Sequence, residues 1–330
     1  MDNLSAKIIE LSKDVYVIPG NTNVGVIITN ENPATATTAV TKEVFLVDSG
    51  CTEIDGEYVL DILKAFFQEA KSSFKIKALI STHCHADHVG GHNFIKSETG
   101  CQIYASFHER ACMETPAIQS INLWGGYPPH ELRTLYFKPE ETHVDKIIGS
   151  ETVFELSGDR KLTFMELHGH SHQELAAIVT NEKGRKIIFA GDAIFPRDEI
   201  LRHWIPLIIN PVEFMESLDA LCEVENVDWC IPGHGDFLRK NIQEAAEMNK
   251  IAIISTRMAI LDALKSKKQM TCDEIVKYVA DKNALEMTLP QLALITSTVR
   301  SYLSVMHDAR EVKMKVEKNR LYFFVEAVKK

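Results

Sequence analysis

No stretch of this 330-residue chain approaches the roughly 18 to 20 uninterrupted apolar residues of a membrane-spanning helix, so an integral helical membrane protein is excluded. The start, MDNLSAKIIELSKDVYVIPG, lacks the basic opening and apolar run of a secretory signal; the expectation is an unexported, cytoplasmic protein. The 7 cysteines are odd in number and contain no C-x-x-C pair, which argues against a disulfide framework and for a reducing compartment where most are small buried hydrophobes. Internal repeats and low-complexity tracts are lacking too. So is basic charge over most of the chain. Residues 251–330 carry 14 Lys+Arg against 9 Asp+Glu, a balance of +5, so that with −10 overall residues 1–250 carry −15. Such a body repels nucleic acid over most of its surface, whereas the tail need not.

What is present is enough apolar residue, 45%, for one large domain and a small one. DVYVIPG, VGVIIT and EVFLVDSG read as strands of a meander, the last two joined by the Thr-rich ENPATATTAVTKE. EYVLDILKAFFQEA carries apolar positions at helical spacing, and KIKALIST and QIYAS read as short strands. From about 107 to 150 the periodicity breaks into what reads as a long functional loop, with Trp124, Tyr127, Tyr136 and Phe137 as a hydrophobic wall for substrate. TVFEL, KLTFMEL, AAIVT and KIIFAG restore strands; VEFMESLDALCEV and EAAEMNKIAIISTRMAILDALKS are helical. TCDEIVKYVADK opens with a Thr cap and a Glu three residues on, LPQLALITSTVRSYLSVMHD has Pro in its first turn, and VKMKVEKNRLYFFV is a hairpin around EKNR. Three helices and a hairpin make the order of a winged helix, which places the domains at 1–245 and 246–330.

The chemistry concentrates in ISTHCHADHVGG, residues 80–91. Histidines this dense are rarely packing, because each buried imidazole needs a partner. Alternate residues of an extended stretch point the same way, so His83 and His85 can grip one ion, and Asp87 with His88, displaced by the turn, can serve another. Cys84 points opposite to its neighbours. Imidazole and carboxylate suit two divalent metals, Zn²⁺ foremost, with Fe and Mn as rivals. Further ligands occur at later strand ends: His170 after KLTFMEL, Asp192 after KIIFAG, and His234 after DWCI between two glycines.

These motifs in this order, HCHADH, GH, GD and PGHG, closely resemble those of the metallo-β-lactamase superfamily over residues 12 to about 240. The resemblance implies an α+β fold, a four-layer αββα sandwich with the site at one edge of the facing sheets, followed here by a winged-helix-like tail. It implies His83, His85 and His170 on one metal, Asp87, His88 and His234 on a second, and Asp192 bridging. An aspartate where the antibiotic-hydrolysing branch carries cysteine points to the glyoxalase II-like branch. The implied activity is hydrolysis of a small ester, thioester or lactone by a metal-bridging hydroxide, which Asp87 orients or whose proton it passes to the leaving group. Asp48, ending VFLVDSG, matches the family's first motif and is either an acceptor for a ligating histidine or a turn cap.

Competing functions are a single-strand endonuclease, because a similar tail follows this domain in the mitochondrial endoribonuclease type, a mononuclear-iron sulfur dioxygenase, and a non-catalytic DNA-binding regulator. The 41 residues between Asp192 and His234 are too few for the extra domain of the large RNA-processing members. His85 stands where the flavo-diiron type has a carboxylate, which sets that type aside. His203 is expected to line the pocket and touch substrate, His168 and His172 to lie on its rim, and His92 to face solvent from a helix starting near Val89. The tail is expected to pack on the catalytic domain or to form a homodimer contact, with nucleic acid its other candidate partner.

Overall fold

The structure, a computed structural model, describes residues 4–30, 41–133, 139–203 and 207–326. Most of the Thr-rich connection, and Tyr136 and Phe137 of the expected wall, lie outside these residues. An antiparallel meander of β1 (Ile9–Ser12), β2 (Val15–Ile18), β3 (Val24–Asn30) and β4 (Lys42–Val47) opens the chain. After α1 (Glu53–Glu69), the strands β5 (Phe74–Ile80), β6 (Gln102–Ala105) and β7 (Lys146–Ile147) add in parallel, so the seven-stranded sheet follows chain order. Between them lie α2 (Ala86–Val89), α3 (His92–Thr99), α4 (Phe107–Glu114) and α5 (Ala117–Trp124). A second, five-stranded sheet is built from β8 (Val153–Leu156), β9 (Arg160–Leu167), β10 (Glu174–Thr180), β11 (Lys186–Gly191) and β12 (Val227–Pro232). Its last two strands are parallel, joined by a crossover through α6 (Arg197–His203) and α7 (Pro211–Glu223).

Strand alternation builds the layers. Val24, Val26, Ile28, Val44 and Leu46 face Leu60, Leu63 and Phe67 of α1 and Ile95 of α3. The residues between them, Ile27, Phe45 and Val47, face Leu162, Phe164, Ala177 and Phe189 of the second sheet. The outer face of that sheet, with Leu167, Ala176, Ile178 and Ile188, is covered by Phe214, Leu218 and Leu221 of α7 and by the helices that follow. Three apolar interfaces separate four layers, the expected αββα sandwich.

The C-terminal region comprises α8 (Ile242–Ser266), α9 (Cys272–Lys282), α10 (Leu289–Asp308) and the hairpin β13 (Lys313–Glu317) and β14 (Arg320–Phe324). Thr271 with Glu274, and Thr288 with Gln291, form capping boxes on α9 and α10. Lys318 and Asn319 form the two-residue hairpin turn at φ 50° and 61°, as a type I′ connection requires. The expected division between residues 245 and 246 falls inside α8. Ala246, Ile253 and Ile260 of that helix share one core with the second sheet and with Val299 and Leu303 of α10. No helix among the described residues is long and apolar enough to cross a membrane.

Two expectations are corrected. Residues 107–124 are not loop but α4 and α5. Their pattern misleads because it is mixed: beside the buried Leu123, α5 buries Gln119 and Ser120 and exposes Ile118 and Ile121, and α4 buries Glu109 along with Cys112 and Met113. His92 does not face solvent. It is fully buried at the start of α3, between the Ser49 hydroxyl, 2.6 Å from Nδ1, and the Ser81 hydroxyl, 2.8 Å from Nε2. Two hydroxyls can satisfy a neutral ring, and burial together with the charge on His88 lowers the His92 pKa to about 3. The unfolded chain therefore takes up a proton first, near pH 6.5; the stability that neutral His92 contributes is full above that pH and is lost as the pH falls towards about 3. In denaturant titrations of metal-stripped protein from pH 7 down to about 4, His92→Gln is expected to flatten this acid loss. An unchanged slope would sink the assignment.

Candidate metal centre

Every cluster residue sits just past the C-terminal end of a strand. His83, His85, Asp87 and His88 follow β5, His170 follows β9, Asp192 follows β11 and His234 follows β12. The two sheets are stitched along this edge by Leu175 N–H to Thr82 O, 2.9 Å, and Asn23 N–H to Gly233 O, 2.8 Å. The loops are thereby forced onto one spot.

Three overlapping groups of ligand atoms result among the described residues, two of which share no residue while the other joins His83, His88 and Asp192 across them. His83, His85 and His170 form the first; Asp87, His88 and His234 form the second; within each, all atoms lie within 4.8 Å of one another. In the first, His85 Nδ1 is 2.9 Å from His83 Nε2 and 3.0 Å from His170 Nε2. In the second, His234 Nε2 is 3.3 Å from His88 Nε2 and 3.1 Å from Asp87 Oδ2. Asp192 faces both. Its Oδ2 is 3.4 Å from His170 Nε2, while Oδ1 is 3.4 Å from His88 Nε2 and 3.5 Å from His234 Nε2.

The far side of three of the rings is held by a hydrogen bond. His88 Nδ1 donates to Asp48 Oδ2 at 2.8 Å, His170 Nδ1 to Leu207 O at 2.9 Å, and His234 Nδ1 to Asn21 O at 2.5 Å. A proton on Nδ1 leaves the Nε2 lone pair for a cation. Asp48 is thus more than a turn cap. At φ 64° it also accepts from Thr82 N–H and Oγ–H, both at 2.8 Å, tying β4 to the β5 loop. Asp48→Asn is expected to weaken divalent-metal binding roughly 10- to 100-fold, read by competition with a chromophoric chelator. An unchanged affinity would return Asp48 to a turn residue.

Charge in the cluster is unevenly settled. Burial, reinforced by the neighbouring imidazoles, holds His83 well below its ordinary pKa and brings His85 to about 4. Burial also opposes charge on His88 and His234, but Asp192 with Asp48 raises the first well above its usual range, and Asp192 with Asp87 takes the second to about 12. Asp87 comes down to about 2, against its burial, through the His234 hydrogen bond and the charge on His88. Protons on His88 and His234 thus occupy positions that a cation would take, and metal binding would release them.

The donor set fits divalent metal ions. Asp87 Oδ1 and Asp192 Oδ1 are buried without a hydrogen-bond partner, a deficit of about 1–3 kcal/mol each that a cation would remove. A Cβ on Gly233 would lie 2.4 Å from Asp192 Oδ1 and 2.6 Å from His88, so glycine there keeps the space clear. Thiolate takes no part: Cys84 Sγ turns into the outer core, 4.0 Å from Gln119 Oε1.

Other expected site residues are not bonded to the cluster among the described residues. His203 faces Glu199 of its own helix at 3.4 Å, and Tyr127, exposed, donates nothing to the cluster but accepts from Arg133 at 2.9 Å. Trp124 is partly exposed at the end of α5. Among the described residues none of the three makes a hydrogen bond, ion pair or ring contact with the cluster. His168 Nδ1 lies 2.8 Å from His172 O, so the two residues pair with each other. Sequence reasoning missed Glu174 and Glu109. Glu174 Oε1 accepts from Asp192 N–H at 2.6 Å and lies 3.3 Å from His83 Nδ1; Glu109 accepts from the backbones of Cys84 and Gln173 at 2.9 and 2.8 Å. A carboxylate opening the otherwise apolar ELAAIVT was the one available signal.

The metallo-beta-lactamase superfamily model matches residues 18–234. Among solved structures, a beta-lactamase domain protein from Burkholderia ambifaria aligns at TM-score 0.70 and 16% identity, over 97% of this chain and 93% of that one. A metallo-beta-lactamase family protein from Thermus thermophilus aligns at 0.67 and 17%, over 96% and 100%. A subclass B3 metallo-beta-lactamase isolated from a soil metagenome library aligns at 0.52 and 15%, over 76% and 94%. A search of curated protein sequences finds no match. At these identities the likeness is one of fold.

Proposed function

Because the chain belongs to the metallo-β-lactamase superfamily, we propose that it is a binuclear metal-dependent hydrolase of a small ester, thioester or lactone, with Zn²⁺ the first choice of metal and Fe or Mn the alternatives. The observation that carries the reading is Asp192, which turns one carboxylate oxygen to each of two three-residue groups. His83, His85 and His170 would hold one ion, Asp87, His88 and His234 the other, and Asp192 both. Two divalent cations, when bound, lower the pKa of a coordinated water towards about 7 and polarise a substrate oxygen. The chain supplies the rest. Asp87, a carboxylate within the second group, would orient the coordinated water or pass its proton to the leaving group. An Asp87→Asn variant that kept both metals and full turnover would remove that role. For the apolar part of the substrate we assign α5 and the residues after it, Trp124 and Tyr127, with His203 on α6. Support comes from the position of α5, whose Leu123 packs on Leu207 beside His170.

The nuclease reading has one observation of its own. A groove of about 1060 Å³ between α9, α10 and the hairpin is lined by Arg300, His307, Arg320 and Tyr322, but also by Asp273, Glu274 and Asp308. A winged-helix-like role would use this face. Its mixed charge, and the pairing of Lys313 with Glu326 and Lys315 with Glu317, keep that reading second. Metal-quantified protein should be assayed on short esters, thioesters and lactones and on single-stranded oligonucleotides. The expected result is about two metal equivalents and salt-insensitive turnover of a small substrate, abolished by chelator and restored by Zn²⁺. Oligonucleotide cleavage without small-ester turnover would overturn the proposal.

A further inference from the structure

We infer that Thr298 of α10 is a positioning residue for His170, which makes the C-terminal helices a working part of the metal centre. The inference rests on the metal-centre reading above. Leu207 O, which takes the Nδ1 proton of His170 at 2.9 Å, belongs to the strip 207–210. One side of this strip is bound to the His170 loop: Gly169 O accepts from Ile209 N–H at 2.8 Å and Asn210 N–H at 3.1 Å. Its other side is bound to α10, where Ile208 N–H donates to Thr298 Oγ1 at 3.2 Å. Thr298 and Ile208 are each 1% exposed, so neither group has water as a substitute partner. The Leu207 side chain is fixed in the same direction, packed with Leu123, Leu132 and Ala293, the last also from α10.

The consequence is a relay of constraint. Without the Thr298 hydroxyl the Ile208 N–H is buried and unpaired, and the strip can relieve this only by moving, which takes Leu207 O away from His170. The ring then loses the bond that selects its Nδ1–H tautomer and aims Nε2 at His85 Nδ1, 3.0 Å away, and Asp192 Oδ2, 3.4 Å away. A second helix acts alike on the Asp192 loop. Asn249 of α8, 2% exposed, accepts from Phe195 N–H at 3.1 Å and donates to Phe195 O at 2.8 Å, three residues past Asp192. The Phe195 ring lies 5.9 Å from that of His170. Both second-sheet ligands nearest the helices are therefore braced from beyond residue 242.

The test compares Thr298→Val, which keeps the shape and removes the acceptor, with Thr298→Ser, which keeps the acceptor. Co²⁺ affinity is measured by chelator competition, the Co²⁺ absorption spectrum is recorded, and the His170 tautomer in metal-stripped full-length protein is read by imidazole ¹⁵N NMR. Thr298→Val is expected to weaken Co²⁺ about tenfold, alter the spectrum and raise the Nε2–H tautomer of His170, with Thr298→Ser within about twofold of the parent. Parent-like affinity and tautomer in Thr298→Val, or equal loss in Thr298→Ser, would overturn the inference. Should the valine variant not fold, Thr298→Ala is read by the same criteria. A parent that binds no Co²⁺ fails the metal-centre reading; a parent that binds it while Thr298→Val is unaffected fails the inference alone.

Discussion

Asp192→Asn is expected to lose about one metal equivalent and to lower turnover on the order of 10³-fold, the equivalent of several kcal/mol of transition-state stabilisation. The substitution is nearly isosteric, so the effect is chemical. An amide keeps one oxygen and replaces the other with an NH₂ group that cannot ligate, and it removes the negative charge that faces His88, His170 and His234. The backbone bond from residue 192 to Glu174, 2.6 Å, is retained, so the loop is not expected to move. Elemental analysis and steady-state kinetics read the two effects separately. Two retained equivalents with parent turnover would show that the carboxylate is not shared.

Gly90→Ala is expected to cost about 3 kcal/mol or more, lowering the melting temperature by on the order of 10 °C, and to abolish metal uptake even where the variant is folded. Conformation is not the obstacle, because Gly90 has the helical φ of −63°. Space is. A Cβ there would stand 1.8 Å from the Cys51 carbonyl oxygen, and one on Gly91 would stand 2.6 Å from Ser49 O. The chain leaving β4 crosses directly over α2, held by Gly90 N–H to Gly50 O and Ser49 N–H to His88 O, both 2.9 Å. A methyl group must lift either Asp48 away from His88 or α2, with Asp87 and His88, away from the cluster. Gly126→Ala, at a position with nothing within 4 Å, serves as the control. A Gly90→Ala protein melting within about 2 °C of the parent with full metal would refute the close-packing account.

The strands and most helices were legible because their signal is local. Val24, Val26 and Ile28 alternate with Ile27 whatever the sheet meets, and Thr271 with Glu274 caps α9 from adjacent turns. The ligands were legible because imidazoles and carboxylates at strand ends have few other uses. Where polarity was mixed the reading failed. In α5 the apolar Ile118 and Ile121 are exposed and Gln119 is buried, while His92 is satisfied by two serines that no periodicity points to.

By itself the sequence determined which residues can bind metal, which segments pair into sheets and that the ligand motifs follow strands, because residue chemistry and period-two alternation are properties of neighbours. Only the tertiary structure decided that Asp192 faces both ligand groups, that Asp48, Glu174 and Leu207 hold the rings, and that α10 reaches His170 through a contact 90 positions apart in the chain. Which partner satisfies a buried group depends on what packing brings beside it once water is excluded, and that is a property of the folded whole.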